Sequence, residues 1–206
     1  MSLCVLNSRA REGVDAPAVT VEVHVASGLP ALNIVGLPEM AVKESRDRVR
    51  GALLNGRFAF PAGRVTINLA PADLPKEGGR FDLPIAVGVL GASGQVQRGP
   101  LDALELLGEL ALSGQLRPVT GVLPAALAVR DAGRELLLPK ENAAEAALVS
   151  DLTVYPAGHL LEVCEHLNGT ALLRPFERNE ESQCTPAYPD LADVRGQEHA
   201  KRALEI

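Results

Sequence analysis

Every second residue of Val19-Thr-Val-Glu-Val-His-Val25 is a valine, a pattern with room for few structures. A period of two puts Val19, Val21, Val23 and Val25 on one face and Thr20, Glu22 and His24 on the other, which describes a strand buried on one side. Ser27-Gly-Leu-Pro30 turns the chain into a second apolar run, Ala31 to Val35, and the two runs read as a β-hairpin. An earlier strand is expected near Cys4–Ala10.

The period then changes. Pro38 suits the first turn of a helix, where its missing N–H costs nothing, and Glu39 complements the positive end of the helix dipole. This helix is expected to stop at Asn55-Gly56, both good left-handed terminators. Val42, Val49 and Leu53 share its apolar face. Lys43, Glu44, Arg46, Asp47, Arg48 and Arg50 fill the other, with Lys43/Asp47 and Glu44/Arg48 spaced to pair. A strand over Arg64–Leu69 leads into a loop rich in Pro and Gly from Ala70 to Gly79, and Asp82 is placed to cap an apolar helix over 83–90. The remaining order reads strand (106–112), helix (121–131), strand (135–138), helix (141–148), strand (153–155) and helix (159–167). Mixed strands and helices behind an initial hairpin predict an α/β or α+β sandwich rather than a uniform βαβ array.

Residues 1–170 therefore form one domain, and 171–190 read as a linker, with Pro175, Pro186 and Pro189 among polar and charged residues. Residues 191–206 begin a new helix that carries no stop signal, the expected start of a second domain. Met1 to Leu3 carry no weight, because they are open to a vector origin.

Composition narrows the function classes. At 47% hydrophobic but only 3% aromatic residues, the core has to be aliphatic, and too few aromatics remain for a stacking platform for single-stranded bases. A net charge of -6 gives no global pull toward nucleic acid or an anionic membrane, so any polyanion contact has to be local. Cys4, Cys164 and Cys184 are odd in number and far apart, which reads as thiols in a reducing, cytoplasmic compartment. His24, His159, His166 and His199 lack zinc-like spacing, and no metal site is expected. No apolar run approaches the roughly 20 residues of a membrane span.

The terminal Asp193-Val-Arg-Gly-Gln-Glu-His-Ala-Lys-Arg-Ala-Leu204 resembles the opening of an AAA+ module, whose D-V-x-G-Q segment lies near the adenine of bound nucleotide. The resemblance gives Val194, Gly196 and Gln197 that place in a longer protein. The phosphate loop GxxxxGK[ST] is absent from the sequence, so no ATP hydrolysis is expected of these 206 residues alone.

A second resemblance covers residues 1–170. Gly13-Val-Asp-Ala16, Gly28-Leu-Pro-Ala-Leu-Asn-Ile-Val-Gly-Leu-Pro38, Val42-Lys-Glu-Ser-Arg-Asp-Arg-Val49, Asn68-Leu-Ala-Pro-Ala-Asp-Leu74 and Phe81-Asp-Leu-Pro-Ile-Ala86 together resemble the amino-terminal region of the ComM/YifB family, magnesium-chelatase-subunit-I-like AAA+ proteins of bacteria. The resemblance implies a Lon-protease-like domain of the ribosomal-protein-S5 domain 2 type, with a mixed sheet and packed helices. It also implies a ring-forming, hexameric ATPase using ATP and Mg and acting on DNA in branch migration during recombination and natural transformation.

A Lon-like fold raises the question of peptide hydrolysis, which needs a Ser nucleophile and a Lys that takes its proton. Set against Lon's P-K-D-G-P-S-A-G, Pro75-Lys-Glu-Gly-Gly-Arg-Phe-Asp82 puts Arg80 at the serine position. Set against its G-E-I…G-G-L-K, the segment from Gly108 to Leu123 puts Leu123 at the lysine position. No catalytic residue is expected here. Lys76 to Arg80 reads either as a solvated turn or as a glycine loop whose two cations meet a phosphate. Lys43, Arg46 and Arg50, continued by Arg57 and Arg64, read as a solvated helix face, a phosphate-contacting face or an inter-subunit surface. Lys43, Arg46, Arg50, Lys76 and Arg80 are thus the candidates for DNA or inter-subunit contact. The expected role is a non-catalytic accessory domain of a DNA-acting motor; the alternative is a structural oligomerisation or protein-partner module.

Overall fold

In a computed structural model of the chain, which describes residues 2–36, 39–97, 99–178 and 193–205, the valine run forms strand β2 (Ala18–Ala26). Val19, Val21 and Val23 are fully buried, and Thr20, Glu22 and His24 lie on the half-open face, as the alternation requires. Strand β1 (Ser2–Arg9) pairs with β2 antiparallel along its whole length.

The hairpin does not form. Strand β3 (Ala31–Val35) makes no ladder with β2; strand β4 (Arg64–Ala70) lies between them, antiparallel to β2 and parallel to β3. Alternation says which face of a strand is buried but not which neighbour it binds. The longer β4, with Val65, Ile67 and Leu69 all buried on the β2 side of the core, takes the edge of β2 and leaves β3 outside it. Gly36 closes β3 at φ +99°, and a Cβ there would overlap the Leu69 carbonyl, so only glycine lets the chain leave β3 so close to β4.

Strands β5 (Leu104–Leu106), β8 (Glu135–Pro139) and β9 (Val154–Ala157) continue the sheet in parallel from β1, giving the order β3-β4-β2-β1-β5-β8-β9. The strand expected over 106–112 breaks at Leu107-Gly108. Its second half, β6 (Glu109–Leu110), pairs instead with β7 (Leu116–Arg117) in a separate two-stranded ribbon.

Helix α1 (Met40–Asn55) buries Val42, Val49 and Leu53 against the main core. It ends at Asn55-Gly56 as expected, but neither of these takes the left-handed conformation: Gly56 has φ -72°, and Arg57 takes φ 61°. Helix α2 (Asp82–Ala92) is buried on every side, which explains its lack of a polar face. Phe81 rather than Asp82 occupies its N-cap, and the Asp82 carboxylate is turned to another use. Helices α3 (Val122–Asp131) and α4 (Ala143–Ala146) cover the opposite face of the parallel half, where Leu136 and Leu138 join a second apolar cluster while Leu137 joins the first. A strand buried on both faces reads as an unbroken apolar run, hence Leu136-Leu137-Leu138. Helix α5 (Leu160–Leu167) is capped by His159, whose Nδ1 accepts the Leu161 N–H at 3.1 Å. Helix α6 (Glu198–Glu205) follows the turn that contains Val194, Gly196 and Gln197.

Between the two halves of the sheet lies an ion triad. Glu105 is fully buried; its carboxylate accepts from Arg9 Nε at 2.7 Å and Arg9 Nη2 at 2.8 Å, and from Arg134 Nη1 at 3.1 Å. Arg9 is on β1, Glu105 on β5, and Arg134 precedes β8, so the triad ties three adjacent strands. Part of the expected linker is docked as well: Leu173 donates its N–H to His166 Nδ1 at 3.2 Å, and Phe176 donates to the Val154 carbonyl at 2.8 Å. Residues 179–190 of that segment, and 191–192 after it, lie outside the described residues. Cys4 and Cys164 are buried as thiols, and burial pushes the Cys164 thiol up to about 12; Cys184 lies outside the described residues.

Two outcomes are expected. Glu105→Ala leaves a buried arginine without its counter-charge and lowers stability by about 3–5 kcal/mol, read as a fall in the urea midpoint. Burial holds the His166 imidazole below its ordinary value of 6.5, against a weaker upward pull from Glu135. A depressed histidine contributes stability that is full above about 6.5 and is lost as pH falls toward the folded-state value. Melting temperatures between pH 7.5 and 5 should therefore fall more steeply for the wild type than for His166→Gln; equal slopes would contradict the assignment.

Candidate functional site

The loop that ends in Arg80 is clamped by the first turn of α2. Asp82 is fully buried in that turn, and its Oδ2 accepts from Arg48 Nε of α1 at 2.7 Å and from the Leu110 N–H of β6 at 3.1 Å. Its Oδ1 accepts from Arg48 Nη2 at 3.1 Å, and the same nitrogen donates to the Ser45 hydroxyl at 3.2 Å. Burial pushes the Asp82 carboxyl up, while Arg48, Ser45 and the Leu110 N–H act in the other direction. Gly108 donates to the Arg80 carbonyl at 3.0 Å, and Leu83 donates to the Gly108 carbonyl at 3.0 Å. Helix α1, the start of α2 and the β5–β6 connection are thus locked together around one carboxylate.

Arg80 is 5% exposed. Its Nη1 donates to the Arg9 carbonyl at 3.3 Å, and its Nη2 donates to the Thr120 carbonyl. It borders a cleft of about 240 Å³ together with Arg11, Glu77, Glu109 and Thr120. Leu123 lies three residues after Thr120 in the first turn of α3, where its N–H donates to Glu145 Oε1 at 3.1 Å. The two positions that the resemblance sets against a Ser-Lys pair are therefore on segments joined by the Arg80–Thr120 bond. A guanidinium supplies donors and positive charge but no nucleophile, and a leucine side chain accepts no proton. Chemically, Arg80 can contact an anion where it borders the cleft, and Leu123 contributes nothing polar from its side chain.

The other candidates are dispersed. Lys76 is fully buried, its Nζ donates to the Pro71 carbonyl, and desolvation lowers its amine against a weaker pull from Asp73. An amine so placed meets no surface polyanion. Arg46 and Arg50 are exposed on α1: Arg46 pairs with Asp47 at 3.2 Å, and the Arg50 guanidinium lies 4.8 Å from the Phe60 ring centre. The Lys43 side chain lies outside the described residues. Arg46 and Arg64 border a groove of about 510 Å³ over β3, floored by Leu32 and Ile34. Arg48, read as half of a surface pair with Glu44, keeps that contact at 3.7 Å but is chiefly bound to Asp82. Arg11 and Thr120 gave no sequence signal, being 109 residues apart; their bond, Arg11 Nη1 to the Thr120 hydroxyl at 3.0 Å, exists only through the fold. Among the described residues no cluster of three or more His, Cys, Asp or Glu side chains is placed to hold a metal ion, and no helix is long and apolar enough to cross a membrane.

Comparison with known proteins bears on this arrangement. The family model described as subunit ChlI of Mg-chelatase matches residues 21–142, more than half of the chain. The competence protein ComM of Haemophilus influenzae is 53% identical over 213 residues, covering 100% of this chain and 41% of that protein. The protein YifB of Salmonella typhimurium is 53% identical over 207 residues, covering 100% of this chain and 40% of its own length. The chain thus spans about two fifths of the length of these relatives. A Lon protease of Chloroflexus aurantiacus is 26% identical over 184 residues, covering 76% of this chain and 22% of the protease, a similarity that fits a Lon-like domain built on a mixed seven-stranded sheet. The chain belongs to the family described as subunit ChlI of Mg-chelatase, and it resembles the ComM/YifB proteins over its whole length.

Proposed function

We propose that this domain is a non-catalytic accessory module of a cytoplasmic, DNA-acting AAA+ motor, contributing to DNA engagement and to assembly of a hexameric ring. In the longer protein, ATP and Mg would be used by the AAA+ module, with Val194, Gly196 and Gln197 beside the nucleotide. The motor would serve branch migration in recombination and natural transformation, in keeping with the competence protein among its relatives. The observation that carries this reading is the occupancy of the two dyad positions by Arg80 and Leu123 on a retained Lon-like scaffold. A fold kept without nucleophile or base serves binding better than hydrolysis.

The DNA contact is assigned to the α1–β3 side of the domain. Exposed Arg46, Arg50 and Arg64 gather there on a chain that is otherwise acidic, with Lys43 on the same helix. Phosphate contacts by such residues are insensitive to sequence and weaken with salt. A second reading has support from the same place: β3 is the edge of the sheet and ends in exposed Val35, and α1 opens with exposed Met40, apolar surface that an interface between ring subunits would use.

Duplex and forked DNA binding by the full-length protein over a salt series separates the two. Arg46→Ala with Arg50→Ala should weaken binding uniformly and reduce the slope of log K against log salt by about 2, one for each lost phosphate contact. Unchanged binding together with a loss of ring assembly on gel filtration would favour the interface instead. With a fluorogenic peptide and an active-site serine probe, neither turnover nor labelling above background is expected; either one would end the non-catalytic reading.

A further inference from the structure

Arg80 presents an electrostatic problem that the fold leaves unsolved. It is a nearly buried cation, yet none of the ion pairs among the described residues includes it or Arg11. The contrast with the other buried charges is direct: Glu105 has Arg9 and Arg134, and Asp82 has Arg48. A buried charge without a partner is strongly unfavourable, and proteins keep one where something else supplies the counter-charge. Burial and then the like charge of Arg11 push the Arg80 guanidinium down, with Glu77 opposing them.

Both guanidiniums converge on one residue, Arg80 on the Thr120 carbonyl and Arg11 on the Thr120 hydroxyl, and both border the same cleft. Two carboxylates also reach it. Glu109 is already engaged by Arg117 at 3.7 Å and lies against Gly79, while Glu77 is exposed at the rim. We propose that this cleft is an oxyanion site that takes a phosphate dianion between Arg11 and Arg80, with the Thr120 hydroxyl as a third group. A carboxylate carries one negative charge, whereas a phosphate dianion carries two and has the oxygens to meet both guanidiniums. The dianion belongs either to a free phosphate or to the phosphorylated end of a nucleic-acid strand; a phosphodiester, with its single charge, matches the pair less well.

The site stands apart from the α1–β3 contact and does not depend on it. The test therefore uses the whole chain and probes phosphate first by itself. Inorganic phosphate should raise the melting temperature of the wild type in a saturable way, while potassium chloride of equal ionic strength does not. Exposed Arg11 is substituted rather than buried Arg80, so that the variant folds. Arg11→Gln should keep its own melting temperature and bind phosphate about tenfold more weakly or worse, as expected for loss of a charged donor pair. No saturable shift in the wild type, or an equal shift in Arg11→Gln, overturns the site. A second arm compares 5′-phosphorylated and 5′-hydroxyl single strands by fluorescence anisotropy. A preference for the phosphorylated strand that Arg11→Gln abolishes assigns the dianion to a strand end; equal affinity, with the phosphate shift intact, assigns it to free phosphate. A domain that ignores DNA would still show the phosphate shift, so failure of the DNA reading and failure of this one are distinguishable.

Discussion

Asp82 holds three pieces of the domain that share no sequence neighbourhood. Its carboxylate faces α1 through Arg48, β6 through the Leu110 N–H and its own helix through the backbone. With the charge removed, Arg48 would lose its buried partner, and the loop from Pro75 to Phe81 would lose the anchor immediately after it. The position of Arg80, and hence the shape of its cleft, depends on that anchor. The aliphatic core supplies the bulk of the stability, but apolar contacts are non-directional; the carboxylate fixes where the loop stops.

The buried charges divide into two kinds. Glu105 and Asp82 are carboxylates with short, multiple bonds to arginine, and both sit where strands or helices from distant parts of the chain meet. Such groups add little net stability compared with a well-packed apolar substitute, yet they are costly to break. Lys76 and Arg80 are cations whose protein partners are backbone carbonyls. A carbonyl accepts a hydrogen bond without neutralising the charge, and of the two cations only Arg80 borders a cleft that an anion could enter.

Much of the architecture was legible in the sequence. The valines of β2 and the apolar face of α1 each reflect a period set by one wet and one dry side, and the unbroken leucines of β8 reflect the lack of a wet side. What failed was relational. The neighbour of β2, the break at Leu107-Gly108 and the true use of Asp82 depend on segments far away in sequence, and local spacing holds no record of them. The candidate site divides the same way. Arg80 and Leu123 could be named because each lies within a recognisable string. Arg11 could not, since its only distinction is a bond across 109 residues, and the burial of Lys76 was hidden because a lysine in a glycine loop looks solvated.

The docking of Phe176 on β9 fixes where the chain leaves the domain. β9 and β3 are the two margins of a seven-stranded sheet, separated by six inter-strand steps of about 4.8 Å, or roughly 29 Å along the sheet. Strand twist of about 20–25° per step turns one margin by roughly 120–150° relative to the other. The arginines beside β3 and the exit beside β9 are therefore handles at the two ends of a twisted plate. A pull applied at one handle reaches the other as a torque as well as a displacement.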